Sequence, residues 1–130
     1  VISQKDISQI QLAKAAIYAG LKTLLAVTET PAREVGQVVL AGAFGAFLDL
    51  HNAVGIGLLP HFPTAHYRQV GNAALVGATR AVLPKKERNR AKDLARNARH
   101  LELNTYPEFN QLFTRALRFP DSRADCNGSS

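Results

Sequence analysis

Residues 38–45 have the sequence Val-Val-Leu-Ala-Gly-Ala-Phe-Gly, in which an apolar segment is followed by a glycine-rich one. Three apolar residues, two of them β-branched, predict a short buried strand that ends at Leu40. Glycine shortly after such a strand, here Gly42, lets the backbone turn sharply and lets a ligand approach where a Cβ would collide. Open α/β sheets bind their ligands at the carboxyl ends of their strands. The stretch therefore predicts either a ligand-contacting turn or an ordinary connection to the next element.

The composition is that of a folded globular domain. The chain has 130 residues, of which 46% are hydrophobic, and this length allows one domain with its own core. No apolar run approaches the ~20 residues that a membrane helix needs, and no signal-peptide pattern is present. Because methionine is absent from the whole sequence, we expect a piece of a longer protein. The single cysteine, Cys126, excludes a disulfide framework and predicts a reducing, cytoplasmic setting.

Helical patterns lie on both sides of the strand. Ser3 and Asp6 form a capping pattern at the start of an amphipathic helix from Gln4 to about Ala26, whose isoleucines and leucines recur at helical spacing. Asp49 follows the glycine turn closely, and capping of a short helix from Leu50 to about Gly57 is its favoured role over a functional one. The chain thus predicts helices before and after the organising strand.

Two short strands and two further helices are predicted in the second half of the chain. Tyr67–Val70 is a short strand candidate, and Gly71-Asn72 supplies a turn and a cap for a helix over Ala73–Leu83 that is rich in small residues. Leu101–Leu103 alternates like a short strand. A last helix begins near Tyr106, with a buried side that we expect to consist of Phe109, Leu112, Phe113, Ala116 and Leu117.

Positive charge is concentrated between Lys85 and His100. Seven basic and two acidic residues there give +5, against +6 for the whole chain. Such a run predicts either a nucleic-acid patch or a solvated helix. The solvated helix is favoured, because no aromatic residues interleave the charges; its inward side would consist of Ala91, Leu94, Ala95 and Ala98. The four histidines share no metal-ligand spacing, and no nucleophile with a matching base can be named, so we predict no metal or catalytic residue in this chain.

Several motifs, in this order, resemble the carboxy-terminal domain of reductive activators of corrinoid proteins. They are Ile2–Ile7 with Ile10–Ala15, then Leu40–Gly45, Ile56–Pro60 and Val70–Leu75. That domain is of the ASKHA type, the superfamily of actin, heat-shock chaperone ATPases and sugar kinases. The resemblance implies an α/β fold: residues 1–120 would form part of a ribonuclease H-like, actin-like ATPase subdomain with a mostly helical carboxy-terminal extension. Residues 121–130 have the composition of a disordered tail.

The same resemblance implies a function for the parent protein. It implies an ATP-dependent cytoplasmic protein that returns an inactive cob(II)alamin cofactor to the cob(I) state, with electrons from a 2Fe-2S cluster in an amino-terminal ferredoxin domain. Carried over by position, the predicted nucleotide-binding residues are Gly42, Ala43, Phe44 and Gly45. The phosphate loops and the cluster cysteines lie upstream in the family. The parent is therefore expected to hydrolyse ATP with magnesium, and this chain alone to be inactive.

The expected partner is a corrinoid protein or a corrinoid-dependent methyltransferase. An alternative of another class is a non-enzymatic interaction module that uses the same fold to dock a protein. A strand at Val38 with an open edge also predicts self-association or retention of the remainder of the parent chain. Leu101–Leu103 could instead fold back and cover that edge. We expect no membrane or nucleic-acid partner.

Overall fold

Two compact units make up the chain. The computed structural model describes residues 1–82 and 84–120, with Phe44 described by its backbone alone. The first unit contains residues 1–35, 49–64 and the described chain from 102 onward, and the second contains residues 36–48 and 65–101. The predicted tail at 121–130 lies outside the described residues, so the boundary at 120 stays a prediction.

Helices dominate, and the second unit holds a small parallel sheet. The helices are α1 (Gln4–Val27), α2 (Gly42–Phe47), α3 (Leu50–Gly55), α4 (Ala73–Val82), α5 (Lys85–Asn97) and α6 (Pro107–Ala116), and the strands are β1 (Gln37–Leu40) and β2 (His66–Gln69). Short 3₁₀ helices occupy Ala32–Glu34 and Leu103–Thr105. The predicted α/β class with a helical carboxy-terminal extension is confirmed.

A capping box begins α1, as Ser3 and Asp6 predict. The Ser3 hydroxyl accepts a hydrogen bond from the Asp6 backbone N–H (3.3 Å), and the Asp6 carboxylate accepts one from the Ser3 backbone N–H (2.8 Å). These bonds satisfy two amides that have no partner within the helix. The Ser3 hydroxyl also donates a hydrogen bond to the Asp6 carboxylate (2.6 Å), and this bond, together with the one from the Ser3 N–H, stabilises the charged carboxylate and lowers the pKa of Asp6 below its usual 3.8.

Replacing Asp6 by asparagine should speed amide exchange in the first turn of α1 at neutral pH. The carboxylate has a lowered pKa in the folded protein, so its stabilising effect is present above 3.8 and is lost as the pH falls through the lowered value. The protection factors of wild type and Asp6→Asn should therefore differ at pH 7 and converge in acid. Hydrogen exchange measures this, with Asp93→Asn on α5 as the control. Equal protection of the two proteins at pH 7 would contradict the expectation.

The first unit is built on the packing of α6 against α1. Ala15 and Ala19 are fully buried on α1. The five residues of the predicted inner side of α6 are all half-buried, so they share the less exposed face as predicted, but none of them is fully buried. Phe109 and Phe113 stack with ring centroids 6.1 Å apart.

Leu101–Leu103 is not a strand, and the prediction that it could cover the edge of the sheet is wrong. The backbone N–H groups of Thr105 and Tyr106 donate to Glu102 and Leu103 (3.1 Å each), which closes a 3₁₀ turn. Because these backbone groups are hydrogen-bonded locally, the segment forms a 3₁₀ turn and does not pair as a strand. Leu103 packs instead on α1, where a Cβ at Gly20 would lie 3.3 Å from its Cδ1.

Lys14 is a buried cation in the middle of α1. Its side chain is 1% exposed, and its Nζ donates hydrogen bonds to the carbonyl oxygens of Ala116 and Arg118, each at 2.6 Å. The Nζ also lies 5.0 Å from the centroid of the Phe119 ring. Cations favour the carboxyl end of a helix, where the last carbonyls lack partners. Desolvation lowers the pKa of Lys14 from its usual 10.5.

By length and composition, α1 is apolar enough to cross a membrane, which corrects the expectation that no run approaches that requirement. The many alanines of α1 raise its mean hydropathy without forming a long aliphatic run. A mostly buried core helix of a soluble protein and a signal sequence near an N-terminus pass the same test, and 22% of this window is buried. Here α1 packs against α6 and carries the hydrogen-bonded Lys14 at its centre.

In the second unit, β1 and β2 pair in parallel, with Val38 opposite Tyr67 and Leu40 opposite Gln69. Each strand begins one residue earlier than predicted. The expectation of a fully buried β1 is wrong: Val38 and Leu40 are half-buried, but Val39 is 50% exposed. Successive side chains of a strand point to opposite faces, and in the part of the chain that the structure describes only one face of β1 is covered.

The last two helices of this unit, α4 and α5, pack against each other. The prediction of an inward face on α5 is wrong, because its residues are all exposed, namely Ala91, Leu94, Ala95 and Ala98. Leu94 is the largest of them and is 66% exposed. Helical spacing identifies which residues share a face, but only a packed neighbour buries that face.

Candidate functional site

The carboxyl ends of β1 and β2 lie side by side and form the candidate site, which we call the glycine edge. It consists of residues 40–45 and 69–72. Leu40 and Gln69 are opposite each other in the register, and the N–H of Val70 donates to the Leu40 carbonyl at 2.9 Å. Each strand is followed by a glycine with positive φ, namely Gly42 at +91° and Gly71 at +54°. Two sharp glycine turns are therefore adjacent in space.

A backbone hydrogen bond locks these two turns together. The N–H of Gly42 donates to the carbonyl oxygen of Gly71. That amide is therefore already used within the protein. A Cβ built on Gly42 meets no atom of the described residues within 4 Å, so no described side chain covers this Cα. The positive φ, and not crowding, is what requires glycine here.

Gly45 has a different role in the same segment. It is buried, and a Cβ there would lie 3.1 Å from the Leu40 Cβ and 3.2 Å from the Leu40 carbonyl carbon. The absence of a side chain thus lets α2 pack directly on the end of β1. The predicted turn at residues 42–45 is the first part of this six-residue helix, which begins at Gly42 with Ala41 as its N-cap.

The four predicted nucleotide-binding residues are thus distributed over two positions. Gly42 and the exposed Ala43 lie at the open end of the edge, and Gly45 lies beneath, against the strand. The backbone of Phe44 lies between them. Nucleotide contact by these residues stays a prediction.

The second turn contributes residues that sequence reasoning did not place in the site. Gly71-Asn72 is confirmed as a turn and cap, since the Asn72 Oδ1 accepts from the Leu75 N–H (3.0 Å). Gln69 donates from Nε2 to the Leu48 carbonyl (2.7 Å) and so ties the chain after α2 to the end of β2. The signal for this second turn was the repetition of strand followed by glycine. This repeated pattern indicates the second turn, but it does not indicate that the two turns are adjacent in space.

The glycine edge offers binding groups, not acid–base groups. Its described residues present backbone atoms, aliphatic carbons and the amides of Gln69 and Asn72. Asp49 has the predicted capping role, because its Oδ1 accepts from the Asn52 N–H (2.8 Å). Among residues 1–82 and 84–120, no group of three or more histidines, cysteines, aspartates or glutamates could hold a metal ion. The edge can therefore bind and orient a ligand but has no side chain that moves protons.

Parallel strands that end in glycine turns and lead into helices are the arrangement found in open α/β domains. Comparison with protein families assigns this domain more closely. Residues 1–129 match the family described as the C-terminal domain of RACo, the ASKHA domain. The chain therefore belongs to this family of ASKHA domains, and the resemblance stated from its motifs is confirmed.

Two longer proteins are similar to this chain. "Corrinoid activation enzyme RamQ" from Eubacterium limosum is 38% identical over 122 residues, which are 94% of this chain and 21% of that protein. The solved structure of a "Reductive activator for corrinoid,iron-sulfur protein" matches with a TM-score of 0.84 and 38% identity, over 92% of this chain and 19% of that one. The chain spans about a fifth of the length of each.

Proposed function

We propose that this chain is the adenosine-side portion of an ATP-dependent reductive activator of corrinoid proteins. The parent protein would return an inactive cob(II)alamin cofactor to the cob(I) state. The observation that carries the proposal is the glycine edge, with Gly42 open at φ +91° and locked to Gly71, in a chain of this family. A backbone surface of this kind suits the flat face of an adenine and its ribose, because no Cβ keeps the ligand away.

The residues of the edge divide this task between them. Gly42 and Ala43 supply the surface that the nucleotide contacts, and Gly45 holds α2 close to Leu40 so that this surface has a fixed position. The Gly42 N–H is bonded to Gly71. We therefore assign to Gly42 close van der Waals contact with the nucleotide, and not a hydrogen bond from its amide.

Electron delivery belongs to another part of the parent protein. A 2Fe-2S cluster is held by four cysteine thiolates or a similar set, and this sequence has one cysteine. The residues of this chain therefore do not supply the set of ligands that a 2Fe-2S cluster needs. We likewise assign magnesium to carboxylates outside this chain, since the described residues offer no suitable group.

The partners in this proposal are a corrinoid protein or a corrinoid-dependent methyltransferase, in the cytoplasm, and the remainder of the parent chain. β1 pairs with β2 on one side, and its other edge has no partner strand among the described residues. Such an edge recruits a further strand. We propose that the parent supplies it, and that self-association replaces it when the chain is isolated.

The full-length protein tests this function. Mixed with its cob(II) corrinoid protein, a reductant and magnesium, it should form cob(I), followed by visible absorption, only when ATP is present. A non-hydrolysable analogue should bind but not sustain the reaction. No more cob(I) with the protein and ATP than with the reductant alone, together with no calorimetric signal for nucleotide binding, would favour the alternative of a non-enzymatic interaction module.

A further inference from the structure

Both ends of α2 are hydrogen-bonded to one short segment, residues 69–71 at the end of β2. At the first end, the N–H of Gly42 donates to the Gly71 carbonyl. At the other end, Leu48 is the C-cap of the helix, and its carbonyl accepts a hydrogen bond from Gln69 Nε2 at 2.7 Å. The two bonds hold positions about 9 Å apart along the helix axis. We call this pair of bonds the α2 clamp.

The α2 helix depends on support from outside itself. It has six residues, two of which are glycine, and a helix so short and so rich in glycine is unstable by itself. Its N-cap, Ala41, makes no side-chain hydrogen bond, and Phe47 near its end is 90% exposed. Hydrogen bonds from neighbouring elements therefore carry a larger share of the stability of α2 than they do in a long helix.

Gln69 supplies the one side chain of the α2 clamp. The other three groups, on Gly42, Gly71 and Leu48, belong to the backbone. If the Gln69 amide is removed, the bond at Gly42 remains, and α2 can pivot about that end. Ala43, the next residue of the helix, would then change its position relative to the end of β1. Contact between nonbonded atoms is sensitive to such a change, because a gap of roughly 0.5–1 Å already forfeits a quarter to a half of the attraction.

We propose that Gln69 is a positioning residue of the nucleotide site. It fixes the orientation of α2, so that Gly42 and Ala43 keep their contact with the adenosine part of the nucleotide. The inference rests on the proposed function, because it takes the glycine edge as the nucleotide site. Gln69 acts through α2 and not by touching the nucleotide. Since adenosine is common to ATP and ADP, removal of the Gln69 amide should weaken the binding of both by the same factor.

Gln69→Met in the full-length protein tests the α2 clamp. Methionine has a similar length and no charge but cannot donate to the Leu48 carbonyl. A non-hydrolysable ATP analogue and ADP should each bind about fivefold more weakly in calorimetric titrations. Without nucleotide, the amides of residues 46–48 should exchange with solvent about fivefold faster than in wild type. The matched control is Gln37→Met, the same change in an exposed residue at the opposite end of the sheet, and it should alter either quantity by less than about twofold.

The outcomes separate this inference from the proposed function. Far-ultraviolet circular dichroism verifies that each variant is folded. If wild type and Gln69→Met bind the nucleotides equally well, Gln69 is not a positioning residue, although the proposed function stands. If the affinity falls but exchange of residues 46–48 is unchanged, Gln69 contacts the nucleotide directly, and the inference is overturned. If wild type binds neither nucleotide, the proposed function fails and this inference fails with it.

Discussion

Replacing Gly42 by valine should weaken ATP binding to the full-length protein at least about tenfold. Gly42 has φ +91°, a conformation that a β-branched residue adopts only with strain of about 1–3 kcal/mol. No described atom lies within 4 Å of a Cβ at this position, so the two new methyl groups would occupy the place where the proposal puts the nucleotide. A loss of 1.4 kcal/mol corresponds to a tenfold change in affinity. Calorimetric titration with a non-hydrolysable ATP analogue measures it.

Gly36→Val is the matched control for this experiment. Gly36 precedes β1, at the opposite end of the strand from Gly42, and a Cβ there also meets no described atom within 4 Å. The same side chain is thus added to the same strand, but away from the carboxyl edge, and the affinity should change less than about twofold. If folded Gly42→Val and Gly36→Val proteins bind the analogue equally well, the glycine edge is not the nucleotide site.

Replacing Lys14 by methionine should lower the free energy of local opening of α6 by about 2 kcal/mol. Methionine keeps most of the buried length of the side chain but cannot donate to the carbonyl oxygens of Ala116 and Arg118. A part-buried acceptor left without its partner costs about 1–3 kcal/mol, and relief of the desolvation of Lys14 offsets some of this loss. Native-state hydrogen exchange of residues 107–118 in the full-length protein reports the change.

Lys22→Met on the same helix is the control for Lys14→Met. Lys22 is only half-buried, and its Nζ lies 5.9 Å from the centroid of the Tyr18 ring, so its removal should change exchange in α6 by less than about 0.5 kcal/mol. Unaltered exchange of α6 in Lys14→Met would show that the two carbonyls find other donors. Because the folded pKa of Lys14 is below 10.5, the folded protein releases this proton first as the pH rises. Wild type should therefore gain stability relative to the variant in alkaline solution.

Short-range signals in the sequence determined the helix caps of this protein and indicated its family. Ser3 with Asp6, Asp49 with Asn52, and Asn72 with Leu75 are all cap contacts between residues three positions apart. Such contacts form wherever the helix forms, so the chain order alone specifies them. The short motifs around Leu40–Gly45 and Val70–Leu75 were also sufficient to indicate the family, which the family match over residues 1–129 confirms.

Contacts between distant parts of the chain, and the burial of each helix face, follow from the tertiary structure alone. The carbonyl partners of Lys14 are 102 and 104 residues away, and nothing in the spacing of α1 distinguishes this lysine from Lys5 or Lys22. The meeting of Gly42 with Gly71 depends on parallel pairing of β1 with β2, which no local pattern specifies. The exposure of Leu94 also depends on which helix packs against α5. Spacing along a chain determines which residues share a face or a turn, but burial and contact depend on the neighbour that the fold brings to that face.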